Sequence, residues 1–97
     1  MIEYEQRIQL NFEDIFSSRA RTKILRHIAL ENELNISRFI KDLKLNHSLV
    51  KNHLDFLIKI HFVQEKRFGR IRIYRFIIEN PKAKAIKNLI QYWESDL

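Results

Sequence analysis

The side chains best suited to binding chemistry in this sequence are cations and amides, and they are clustered. His47, Ser48, Lys51 and Asn52 recur at i, i+1, i+4 and i+5, the spacing of one helical face. A lysine there can reach a phosphate or a guanine edge, and an asparagine can pair with adenine through two hydrogen bonds. His47 and Ser48 fall at the start of that helix, where free backbone N–H groups favour a phosphate. A second cluster, Lys66, Arg67, Arg70, Arg72 and Arg75, holds no acid and surrounds Gly69, the only glycine in the chain. A third, Arg19, Arg21, Lys23 and Arg26, is also free of acid, whereas residues 1–18 carry four acids against Arg7. The net charge of +6 over 97 residues is therefore local, as a phosphate-binding surface requires. The ordinary alternatives are a solvated helix face and a sheet edge protected by charge. The combination of both clusters, in this order, favours contact with a nucleic-acid duplex.

Other chemistries find little support. The chain has no cysteine, which excludes disulfides, thiolate zinc sites and thiol sensing. None of the four histidines, His27, His47, His53 and His61, is four residues from another, so the helical zinc pair is absent and no metal is expected. There is no glycine-rich phosphate loop and no nucleophile elbow, and Glu31 and Glu33 read as solvated. An enzyme is not expected, nor a cofactor. Apolar runs such as Phe76 to Ile78 are too short to span a bilayer, and the first residues lack the layout of a signal peptide. The expected location is the cytoplasm, in association with the nucleoid.

The elements that must position the clusters follow from periodicity. Composition and length fit a single domain over residues 1–97. Residues 2–12 alternate apolar and polar, which predicts a strand. Ser18 predicts a cap on a helix running to about Leu30, with Ile24, Leu25, Ile28 and Ala29 as its buried stripe and Asn32 as its stop. A short extended piece, Leu34 to Ile36, leads to a second helix from Arg38 to Leu43, capped by Ser37, with Phe39, Ile40 and Leu43 inward. Lys44 to Asn46 form a tight connection. The third helix spans about His47 to Ile60, with Leu49, Val50, Leu54, Leu57 and Ile58 inward. The period then changes to two, predicting strands Phe62–Arg67 and Arg70–Ile78 around a turn at Gly69. Asn80 and Pro81 open a last helix to about residue 96, whose face carries Ile86, Leu89, Ile90, Trp93 and Leu97. The reading is an α+β winged helix-turn-helix, core at residues 15–78, with a C-terminal dimerisation helix at 81–96.

Three stretches resemble one family. Ser18–Leu25 is similar to the S-x-x-R-x-x-I-L opening of ArsR-like winged-helix regulators. Leu43–Leu57 resembles their recognition stretch, ending in H-L-x-x-L, and Gly69–Phe76 resembles the wing strand G-R-x-x-x-Y-R-L. The match covers residues 15–78, and its flavour is that of small archaeal members. The resemblance implies a homodimer, double-stranded DNA as partner, Arg21 near the DNA backbone and the third helix in the major groove. Metal-sensing members carry a Cys-x-Cys pair near the third helix and an Asp-x-His constellation in the last, and both are missing here.

The expected DNA-contacting set is thus Arg19, Arg21, Ser37, Arg38, His47, Ser48, Lys51, Asn52, Lys66, Arg67, Arg70 and Arg72. The expected dimer contacts are Ile86, Leu89, Ile90 and Trp93, because a helix of this length is marginal alone and its apolar stripe must be covered. Strand 70–78 looks apolar on both faces, which calls for cover by the N-terminal segment or a partner. The expected function is a sequence-specific transcription regulator, with repression as the simplest mode. The rival readings are a winged helix used for protein–protein assembly and a sequence-neutral architectural DNA binder.

Overall fold

Each helix after the first begins where a side chain caps it. In the computed structural model, which describes residues 10–95, the order is α1 (Phe12–Ile15), α2 (Arg19–Glu31), β1 (Glu33–Asn35), α3 (Ile36–Leu43), α4 (His47–Lys59), β2 (Val63–Phe68), β3 (Ile71–Phe76) and α5 (Pro81–Glu94). Ser18 Oγ accepts from the Arg21 amide at 3.1 Å, Asn46 Oδ1 from Leu49 at 2.8 Å and Asn80 Oδ1 from Lys82 at 2.9 Å. Each cap contributes about 1 kcal/mol. Pro81 occupies the first helical position after Asn80, as expected. The second helix starts earlier than Ser37 suggested. Asn35 is its cap, accepting from the Arg38 amide at 2.9 Å, and Ser37 lies exposed within the first turn. Asn35 also ends β1, so strand and helix abut with no residue between them.

The helix ends turn sharply on residues with positive φ. Asn32 (74°) closes α2, Lys44 (57°) closes α3, and His61 (64°) follows the cap of α4. Left-handed backbone is unfavourable for side-chain-bearing residues, asparagine least so. Gly69 (62°) meets the same demand at the hairpin tip at no steric cost.

The three strands form one antiparallel sheet in the order β1-β3-β2. β2 pairs with β3 from Val63↔Phe76 through Glu65↔Tyr74 to Phe68↔Ile71, and β1 pairs Leu34 with Tyr74. β3 ends at Phe76, two residues before the expected Ile78. There the Ile77 amide turns to the Phe62 carbonyl at 2.8 Å. Tyr74 and Phe76 are buried, Ile73 is half-buried and Ile71 is exposed, so the strand has one dry face and not two.

The core joins Ile24, Leu25, Ile28 and Ala29 of α2, Phe39 of α3, Val50, Leu54 and Leu57 of α4, Phe62 and Val63, and Tyr74 and Phe76. Phe39 is its hub. Its ring stands edge-on to Tyr74 (centroids 6.3 Å apart) and to His27 (6.0 Å). The predicted strand over residues 2–12 lies mostly outside the described residues. Within them, Leu10 packs against the core and Phe12 opens α1, a short helix that the alternation did not predict, whose Ile15 is buried.

The last helix divides its stripe. Ala83 and Ile86 are buried in this chain's own core and Ile90 packs partly against it. Ile86, only 9% exposed, is therefore a core residue and not a free dimer contact. Leu89 and Trp93 remain outside at 58% and 80% exposure, with Tyr92 exposed beside them. Leu97 lies outside the described residues.

Candidate nucleic-acid interface

Helix-turn-helix and hairpin meet along one cleft. Asn35, Ile36 and Ser37 at the start of α3, His47 at the start of α4, and Arg70, Ile71 and Arg72 of the wing line a groove of about 390 Å³. The cap on Asn46 leaves His47 and Ser48 exposed in the first turn of α4, and Asn52 is exposed one turn further on. Lys51 is half-buried on the next turn of α4. The structure thus brings together Ser37, His47, Arg70 and Arg72, with Ser48, Lys51 and Asn52 continuing along α4.

Acids hold most of the cations, among them Glu33, which was expected to be solvated and instead pairs with Lys66. Lys51 Nζ donates to Asp55 Oδ1 at 2.7 Å, a hydrogen bond that raises its pKa above the usual lysine value. Arg38 donates to Asp42 Oδ2 at 3.2 Å, and the same oxygen lies 2.8 Å from His27 Nε2. The His27 contact foremost keeps the Asp42 carboxyl below its ordinary pKa; desolvation opposes it, and the bond from Arg38 adds to the lowering. Lys66 donates to Glu33 at 3.1 Å. Arg67 and Arg72 approach Glu65 at 3.6 and 3.7 Å. Arg70 has no acid in ion-pair range among the described residues. Such exposed pairs are individually weak, about 0–1 kcal/mol, and a phosphate can displace them.

Two expected contacts are placed elsewhere. Arg21 points inward: Nη1 donates to the Asp14 carbonyl at 2.5 Å, Nε donates to His53 Nδ1 at 3.1 Å, and the guanidinium carbon lies 3.7 Å from the centre of the Phe56 ring. Partial burial lowers its pKa, and Asp14 opposes that shift. Arg21 bolts α2 to the back of α4, with stacking on Phe56 adding to the hydrogen bonds. In this arrangement it serves as a structural tether. His53, accepting at Nδ1, is neutral with its proton on Nε2, and burial followed by the Arg21 charge keeps its pKa below the ordinary histidine value. Arg19 is exposed, but it lines a different cleft with Ser18, Lys23 and Arg26.

A third cleft, about 320 Å³ and almost wholly apolar, lies between α2 and α5. Phe16, Leu25, Leu89, Ile90 and Trp93 line it, and a two-pronged Arg26–Glu94 pair (2.9 and 2.7 Å) closes its rim. Among the described residues no group of three or more His, Asp or Glu side chains is arranged to hold a metal, and no helix is long and apolar enough to cross a membrane.

The fold is a winged helix-turn-helix, as the sequence reading expected, and it is shared with solved regulators. HlyU from Vibrio cholerae superimposes with a TM-score of 0.71 at 22% identity, over 84% of this chain and 85% of that one. The transcriptional repressor PagR of Bacillus anthracis gives 0.62 at 28% identity, over 79% and 85%. A protein described as an ArsR family transcriptional regulator gives 0.59 at 17% identity, over 87% and 88%. No protein-family profile and no curated protein sequence matches this chain.

Proposed function

We propose that this chain is a sequence-specific, double-stranded DNA-binding transcription regulator of the bacterial or archaeal cytoplasm, acting on the nucleoid as a homodimer. The observation that carries the proposal is the single groove shared by Ser37, His47, Arg70 and Arg72, contributed by α3, α4 and the wing. In this reading α4 enters the major groove, with Ser48, Lys51 and Asn52 facing base edges and His47 near a phosphate. The wing follows the flanking backbone or minor groove, where arginine is favoured. Two protomers would read half-sites about 34 Å apart, so the site is an inverted repeat. Repression by occupying a promoter is the simplest mode, and the solved neighbour PagR is itself named a repressor. Selecting bound fragments from a random duplex pool tests the proposal. Recovery of a palindromic motif is expected, and recovery of no motif would leave the architectural reading in its place.

Substituting the amide that reads a base should change preference more than strength. Asn52→Ala is expected to relax choice at one base pair by about 1–3 kcal/mol. Arg70→Ala should weaken all sequences alike and make the salt slope shallower by about one for each bound protomer. An unaltered motif for Asn52→Ala would remove that residue from the reading face.

The dimer proposal is supported by the exposed Leu89, Tyr92 and Trp93 beside the apolar cleft. A large aromatic at the centre of such a patch is a common energetic anchor, contributing about 2 kcal/mol or more. Trp93→Ala should weaken self-association at least ~30-fold in sedimentation velocity. A wild type that sediments as a monomer at tens of micromolar would end this part of the proposal.

A further inference from the structure

One carboxylate sits among three cations at the base of the wing. The register sets Glu65 opposite Tyr74 and Arg67 opposite Arg72, and both pairs share a face with Val63 and Phe76. That face runs from apolar at the core, through Glu65 and Tyr74, to two arginines directly opposite one another. Like charges in that position repel, and Glu65 is the group that relieves them. Its Oε2 lies 3.6 Å from Arg67 Nε and 3.7 Å from Arg72 Nε, and its charge also reaches Lys51 on α4. These separations are longer than hydrogen bonds, so the attraction is ionic. The same oxygen is out of solvent with no hydrogen-bond partner, and so is the hydroxyl of the facing Tyr74. A buried acceptor without a donor is unfavourable for the fold. Glu65 is thus held by charge alone, through the two arginines that it separates.

We propose that Glu65 is a counter-charge that competes with DNA phosphates for Arg67 and Arg72 and so limits how strongly the wing grips any duplex. The proposal rests on the DNA-binding reading above. Each of these arginines must leave, or share, the carboxylate before it can neutralise a phosphate. Arg70, at the tip and without such a competitor among the described residues, makes the unrestrained contact.

The test is fluorescence anisotropy with a random-sequence duplex from about 50 to about 200 mM salt, using the full chain. Glu65→Gln should tighten binding by roughly 2- to 30-fold at the low end, the combined strength of two exposed ion pairs. It should also steepen the log–log salt slope by about 0.9 for each protomer on the duplex, one additional phosphate neutralised by each. Glu65→Asp, which keeps the charge, should stay near the wild-type slope. In an Arg67→Ala, Arg72→Ala background, Glu65→Gln should tighten binding far less than it does in the wild type; an equal gain would overturn the proposal. A Glu65→Gln protein that melts like the wild type but binds more weakly, or with the same slope, overturns the proposal: Glu65 would then only support the arginines or play no part in binding. A wild type that fails to bind duplex at the lowest salt overturns the DNA reading and this inference together.

Discussion

Raising salt from about 50 to about 200 mM should weaken duplex binding by roughly 10³–10⁵-fold, the loss produced by releasing counterions from about 6–10 phosphates. With Arg21 turned inward and Arg19 in a separate cleft, each protomer offers Arg38, Lys51, Lys66, Arg67, Arg70 and Arg72. The proposed dimer would double that set, so contacts in the required range would remain even when some cations keep their acid partners. Loss of less than about tenfold would mean that the charged face does not grip a duplex, and protein–protein assembly would become the better reading. Competition completes the measurement. A regulator should prefer its selected site over random duplex by roughly 10³ or more, a ratio that a sequence-neutral architectural protein would not approach.

Phe39→Ala should destabilise the domain by about 3–5 kcal/mol, measured as a lowered urea midpoint at unchanged slope. Phe39 is fully buried and touches His27, Tyr74 and the core between α2, α3 and β3, so the void it leaves borders three elements that cannot all close on it. Domains of this kind are stable by only about 5–15 kcal/mol in total. The variant should therefore be largely unfolded near its melting region, and its DNA binding should fall with its folded fraction. A shift below about 1 kcal/mol would contradict the packing around Phe39 described above.

The elements that announced themselves in the sequence are those governed by local rules. Ser18 and Asn80 cap because a short polar side chain precedes an apolar stripe, and Gly69 marks the hairpin because only the tip demands its φ. What stayed hidden depends on non-local pairing. Asn35 and Ser37 are both competent caps two residues apart. The choice between them is made by the pairing of Asn35 with Ile73, which ends the strand there. The inward turn of Arg21 needs Asp14, His53 and Phe56 at once, and no single stretch of sequence joins them. The same holds for the acids at the interface: Lys66 meets Glu33, 33 residues away, only because β1 and β2 flank β3. α1 escaped notice because its cap position, Asn11, makes no side-chain cap bond and the helix has only four residues. The last helix read correctly as amphipathic. Its periodicity, however, could not tell Ile86, which completes its own core, from Trp93, which does not.

The three side-chain-bearing residues in left-handed conformation stand at the corners where α2 gives way to β1, α3 to α4, and α4 to β2. Two of these corners are also fastened from outside, Asn32 by Lys87 and the His61 carbonyl by Asn80. A bend made by a glycine swings easily, while a bend made by a constrained residue is a fixed elbow. A body with fixed elbows meets another surface as one solid piece. Adjustment in a complex then falls to the partner molecule, to the hairpin tip at Gly69 and to surface side chains, and not to the packing of the helices.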